Sequence, residues 1–117
     1  MQNLEQLRAA NAFEAAKDLD RSAVNKLPAM IIANGLLATA AFCQAEGGGG
    51  DSRGQMKVAL EATAKHLAKR GLIAGEGTTI KDLIEYLTSH DSHYLQRATT
   101  EALAFIAYLK RFARRKD

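Results

Sequence analysis

Apolar residues recur along this chain at three- and four-residue steps and hardly anywhere at the two-residue step of a strand, so the pattern predicts helices throughout. The first opens at Asn3, which with Gln6 has capping-box spacing, and Ala9, Ala12, Phe13, Ala16 and Leu19 give it one apolar side. It is expected to end between Asp18 and Arg21. Ser22 is a candidate N-cap for a short element in SAVNKL. Pro28 disfavours helical backbone at Leu27 and suits the first turn of a new helix in PAMIIAN, so a kink or break is expected there.

Residues 27–45, LPAMIIANGLLATAAFCQA, run for nineteen positions without a charge. A spanning helix needs about 20 apolar residues, but six alanines with Pro28, Asn34, Gly35, Thr39 and Gln44 dilute this stretch too far. Asn34-Gly35 is a helix-stop signal, because Gly accepts the left-handed backbone needed just past a C-terminus. The stretch therefore reads as a buried hairpin of two short helices with its corner at Gly35. Leu37 and Phe42 are expected in its interior, and Cys43 as a small buried apolar group.

The four glycines at 47–50 lack the preceding strand and the closing Lys-Ser/Thr of a phosphate-cradling loop, so residues 47–54 are expected to form a flexible connector. From Gln55 to Arg70, Met56, Ala59, Leu60, Thr63, Ala64 and Leu67 line one helix side, and Lys57, Glu61, Lys65 and Lys69 the other. His66 falls on the flank and is expected at the surface. Gly71, Gly75 and Gly77 end the segment; Thr79 with Asp82 then caps a short helix through Ile80, Leu83, Ile84 and Leu87. A last helix starts near Asp91 or Ser92 and is expected to run to the tail, with Leu95, Ala98, Ala102, Phe105, Ile106, Leu109, Phe112 and Ala113 on one arc. The prediction is all-α: residues 1–117 as one compact bundle of about six helices with a long C-terminal helix.

Composition sharpens this picture. Apolar residues make up 47% but aromatics only 6%, with no Trp and one Pro, which suits a core of Ala and Leu between closely packed helices. The N-terminal MQNLEQLRAANAFE shows no basic segment leading into an apolar one, and a single cysteine cannot form an internal disulfide. A cytoplasmic, reduced setting without membrane insertion is expected.

Charge is uneven: net −1 over residues 1–50, from four Lys/Arg and five Asp/Glu, and net +4 over residues 51–117, from twelve and eight. A basic half of this kind suits a polyanionic partner. Lys57, Lys65, Lys69 and Arg70 on one helix, with Arg97, Arg111, Arg114 and Arg115 on another, are the candidate phosphate contacts, and Tyr108, one turn before Arg111, could stack on a base. Each set has a plainer explanation too: i,i+4 pairing with Glu61 for the lysines, and cations at a helix C-terminus for the tail.

Catalytic chemistry is poorly supplied. His90 and His93 have H-x-x-H spacing, but no further ligands complete a zinc set, so no metal and no cofactor is expected. The serines fall at helix starts, where capping explains them.

The strings NLEQLRAANAFE, NKLPAMIIANGLLATAAF and TEALAFIAYLKRFARR, in this order and spacing, resemble the small all-helical subunit of the type III-B CRISPR RNA-targeting effector, the Cmr complex. The most specific portion is LP-x-M-I-x-x-NGLLAT-x-AF, followed by EALAF-x-x-x-LKRFA. The resemblance covers nearly the whole chain. It implies a non-enzymatic subunit that stacks with further copies of itself in an inner filament, beside guide-RNA-bearing backbone subunits and a large polymerase-like subunit. There it would help hold target RNA along the guide–target duplex in antiviral defence. The competing reading is a free-standing helical adaptor or DNA-associated regulator whose basic tail binds duplex DNA or an acidic protein.

Overall fold

A computed structural model describes residues 3–46, 51–73 and 79–114, and among these it is built from seven α-helices with no named strand. They are α1 (Leu4–Ala15), α2 (Arg21–Val24), α3 (Lys26–Asn34), α4 (Leu36–Glu46), α5 (Asp51–Lys69), α6 (Ile80–Thr88) and α7 (Ser92–Phe112), with a 3-10 turn over Ala16–Asp18 between α1 and α2. The all-helical expectation holds, and α7 is the long C-terminal helix the periodicity called for.

Side-chain caps set the starts of α1, α6 and α7. Asn3 and Gln6 form the full capping box, each side chain accepting from the other's backbone N–H. Thr79 accepts from Asp82 N at the head of α6, and Asp91 from Tyr94 N at the head of α7. Two starts differ from expectation. Asp20, rather than Ser22, takes the N-cap position of α2, and Ser22 Oγ donates back to the Asp20 carboxylate. The break near Pro28 falls earlier, at Asn25, so that Leu27 is helical. Pro28 then occupies the third position of α3, where the missing N–H has no intrahelical partner to lose.

Gly35 makes the corner between α3 and α4 at φ 94°, a conformation L-residues rarely adopt, and its N–H bonds Ile31 O at 2.7 Å. No atom lies within 4 Å of a Cβ placed there, so the constraint is purely one of backbone. The second half of the expected connector is also corrected: residues 51–54 form the first turn of α5, while 47–50 lie outside the described residues. The packed face that begins at Met56 compensates for Gly54. These two glycines should respond oppositely to alanine. Gly35→Ala is expected to cost about 1–3 kcal/mol in strain, and Gly54→Ala, in open space on a helix, to stabilise by roughly 0.5–1 kcal/mol. Urea midpoints of the two variants check both signs.

Helices α5 and α7 are the two central elements. Helix α7 packs against α1, α2, α3 and α5, while α5 also meets α1, α2, α4 and α6. Every position expected on the apolar side of α5 is buried, as are Ala98, Ala102, Phe105, Ile106 and Leu109 of α7. The hairpin of α3 and α4 contributes Leu27, Ile31, Leu36, Ala40 and Cys43 to this core. Burial pushes the Cys43 thiol up, which keeps it protonated. Two of its bulky residues face outward instead: Ile32 is 75% and Phe42 39% exposed, so Phe42 is not the core anchor that the uncharged stretch implied. Nor does α7 run to the tail. It stops at Phe112, after which extended backbone lets Arg114 N donate to Leu19 O at 3.0 Å and accept Arg21 N at its own carbonyl at 2.7 Å. No helix among the described residues is long and apolar enough to cross a membrane.

Candidate nucleic-acid interface

The two central helices place cations on both sides of α5, and the buried group that separates them was invisible to periodicity. His66, expected at the surface, is 1% exposed and stacks on Phe105 with ring centroids 4.4 Å apart. Its Nε2 lies 2.9 Å from Glu101 Oε2, and its Nδ1 lies 2.9 Å from Asn11 Nδ2. Glu101, on the buried arc of α7, also receives a two-pronged contact from Arg8: Nε to Oε2 and Nη2 to Oε1, both 2.8 Å. Arg70 Nε stands 3.7 Å from Oε2, too far for a hydrogen bond, and is buried without another partner.

Burial alone would raise the Glu101 carboxyl. The hydrogen bonds from Arg8 and His66 more than offset it and bring it down to about 2. Burial lowers His66, and the adjacent carboxylate only partly counters this. At neutral pH the group therefore holds a carboxylate, a neutral imidazole donating from Nε2 and accepting at Nδ1, and two guanidiniums. One positive charge is left over, and it is the weakly held Arg70 that carries it.

Arg70 opens into a cleft of about 430 Å³ between the end of α5 and the first half of α7, lined also by Leu72, His93, Gln96, Arg97 and Thr100, with Glu101 at its floor. The residues from α7 repeat at three- and four-residue steps, which aligns them along one helix side. On the other flank, α1 and α5 bound a groove of about 410 Å³ where Lys65 and Lys69 face Asn11, Glu14, Val58 and Glu61. The first site is the better phosphate receptor. Among the described residues its one carboxylate, Glu101, is already occupied by Arg8, whereas the groove exposes two, Glu14 and Glu61.

The candidate residues thus sort by position. Arg70 and Arg97 meet in the cleft; Lys65 and Lys69 line the groove; Lys57 is half-buried and lines neither. Arg111 and Arg114 are exposed at the far end of α7, where the carbonyl of Arg111 accepts from Arg21 Nη2 at 2.8 Å. Arg115 lies outside the described residues. Tyr108 is half-buried, and its hydroxyl donates to Glu5 at 2.6 Å. Its ring faces Phe112 with centroids 6.4 Å apart.

The two histidines of the H-x-x-H spacing part company: His93 lines the cleft, while His90 stacks on Tyr86 and neighbours Tyr94. Among the described residues no group of three or more His, Cys, Asp or Glu is placed to hold a metal ion. The sequence does space Tyr86, His90 and Tyr94 four apart, but the helix break between α6 and α7 conceals that they converge.

A family model described as "CRISPR-associated protein (Cas_Cmr5)" matches residues 4–115. No curated protein and no solved structure matches the chain.

Proposed function

The chain belongs to the CRISPR-associated Cmr5 family, and on that premise we propose that it is a non-catalytic small subunit of a type III-B CRISPR ribonucleoprotein, supporting target RNA along the guide–target duplex. In this role it acts in the cytoplasm, in antiviral defence, stacked with further copies of itself beside backbone subunits and the large polymerase-like subunit.

The observation that carries RNA contact is the convergence of Arg70 and Arg97 on one cleft whose carboxylate, the only one among the described lining residues, is already engaged. A helical body that presents several shallow basic sites neutralises backbone phosphates without reading sequence. The buried acid–base group argues for scaffold rather than catalysis. Glu101 is held by Arg8 at both oxygens and His66 by partners at both nitrogens, which leaves neither placed to exchange protons with a substrate.

Affinity purification from the native host tests the assignment against the adaptor alternative. The chain is expected to arrive with guide RNA and larger subunits, all remaining together through gel filtration. Recovery by itself, or with duplex DNA in place of guide RNA, would favour the adaptor or regulator.

A further inference from the structure

Three rings meet on the surface where α6 gives way to α7. His90 stacks on Tyr86 with centroids 4.1 Å apart and planes 18° from parallel, and Tyr94 lies 4.7 Å from His90 and 5.3 Å from Tyr86. Rings on opposite faces of His90 would be much farther from each other than 5.3 Å, so neither face-to-face sandwich nor full enclosure is present. One face of the exposed imidazole is left to solvent. The ring is also fixed in direction: Nδ1 lies 2.8 Å from the Tyr86 carbonyl oxygen, to which it donates. Tyr86 and Tyr94 are half-buried against the core, whereas His90 is exposed, so core packing accounts for the two tyrosines but not for the imidazole stacked on them.

One turn beyond Tyr94 on α7 comes Arg97, and with it the cleft that Arg70 and His93 share. A flat, fixed aromatic face beside a cationic recess matches one repeating chemistry, a base followed by its phosphate. We propose that this surface binds single-stranded RNA, one unpaired base stacking on the open face of His90 while the adjoining phosphate enters the cleft between Arg97 and Arg70. The inference rests on the RNA-support reading and adds to it that the nucleotide held here stands outside the base pairs of the guide–target duplex, because bases within a duplex have no free face to stack.

The test uses the full chain and a short single-stranded RNA carrying 2-aminopurine, whose fluorescence falls when the base stacks. The protein has no Trp and only three Tyr, two of them in the cluster, so tyrosine emission reports the same site. Binding is expected to quench 2-aminopurine. His90→Ala should weaken it about 5- to 150-fold, the range for one base–aromatic stack, with the salt slope retained, and His90→Phe should restore it. Arg97→Gln should lower the salt slope by about 0.7. If His90→Ala binds and quenches as the wild type does, or the same RNA binds better once made duplex, the stacking inference is overturned, and the RNA-support reading survives provided Arg97→Gln still weakens binding. Absence of any RNA binding by the wild-type chain overturns both.

Discussion

Replacing Glu101 by Leu is expected to cost about 3–5 kcal/mol of folding stability at neutral pH, the range for removing one partner of a buried ion pair. The carboxylate satisfies Arg8 at two points and the N–H of a fully buried imidazole, so its loss strands both. The pH dependence identifies the cause. Glu101 titrates at about 2 in the folded chain against an ordinary 4.5. The unfolded chain therefore binds the proton first, and the contribution is complete above 4.5 and lost as pH falls toward 2. A shift of that size corresponds to roughly 3 kcal/mol. His66 adds an earlier loss of the same sign: buried neutral, it is lowered from 6.5, so acidification below 6.5 favours the unfolded chain, where it can protonate. Urea unfolding of wild type and Glu101→Leu across pH 7 to 2 should show a gap that narrows below 4.5. A gap that stays constant would mean that Leu acts through packing and that the charge contributes nothing.

What the sequence disclosed and what it withheld follow from the same physics. Periodicity located the buried sides of α5, α6 and α7 because each alternates an apolar arc with a charged one. Within residues 27–45 there is no charged arc to mark the outside. Leu36 and Phe42 look equivalent there, yet one is buried and the other 39% exposed. His66 failed for the opposite reason. A histidine on the flank of an apolar arc reads as a surface residue until its partners are known, and those are Asn11 on α1 and Glu101 on α7, far apart in sequence. A usable signal did exist: Glu101 follows Ala98 by three and precedes Phe105 by four, at the centre of the arc, and a carboxylate there must have a cation against it. The basic candidates were legible as residues but not as sites. Only the crossing of α5 with α7 joins Arg70 to Arg97, and only the backbone pairing beyond Phe112 brings Arg114 back to Arg21.

The second large effect is expected on RNA. A variant carrying Lys65→Glu, Lys69→Glu and Arg97→Glu removes three cations that line the groove and the cleft and are exposed, so the buried core and the Glu101 group remain as they are. Each phosphate contact contributes about 0.7 to the slope of log affinity against log salt on a single strand, so three lost contacts lower it by about 2, which at 0.1 M salt amounts to a loss on the order of a hundredfold. Glu14 and Glu61 already face the groove, so the reversal there adds repulsion to the lost attraction. The most direct measurement is target-RNA affinity at several salt concentrations for effector reconstituted with this variant, after circular dichroism has shown the helices intact. The account predicts that the complex assembles, binds target on the order of a hundredfold more weakly and shows a salt slope shallower by about 2. An assembled complex with wild-type affinity and wild-type slope would contradict it, leaving these cations as solvated helix faces.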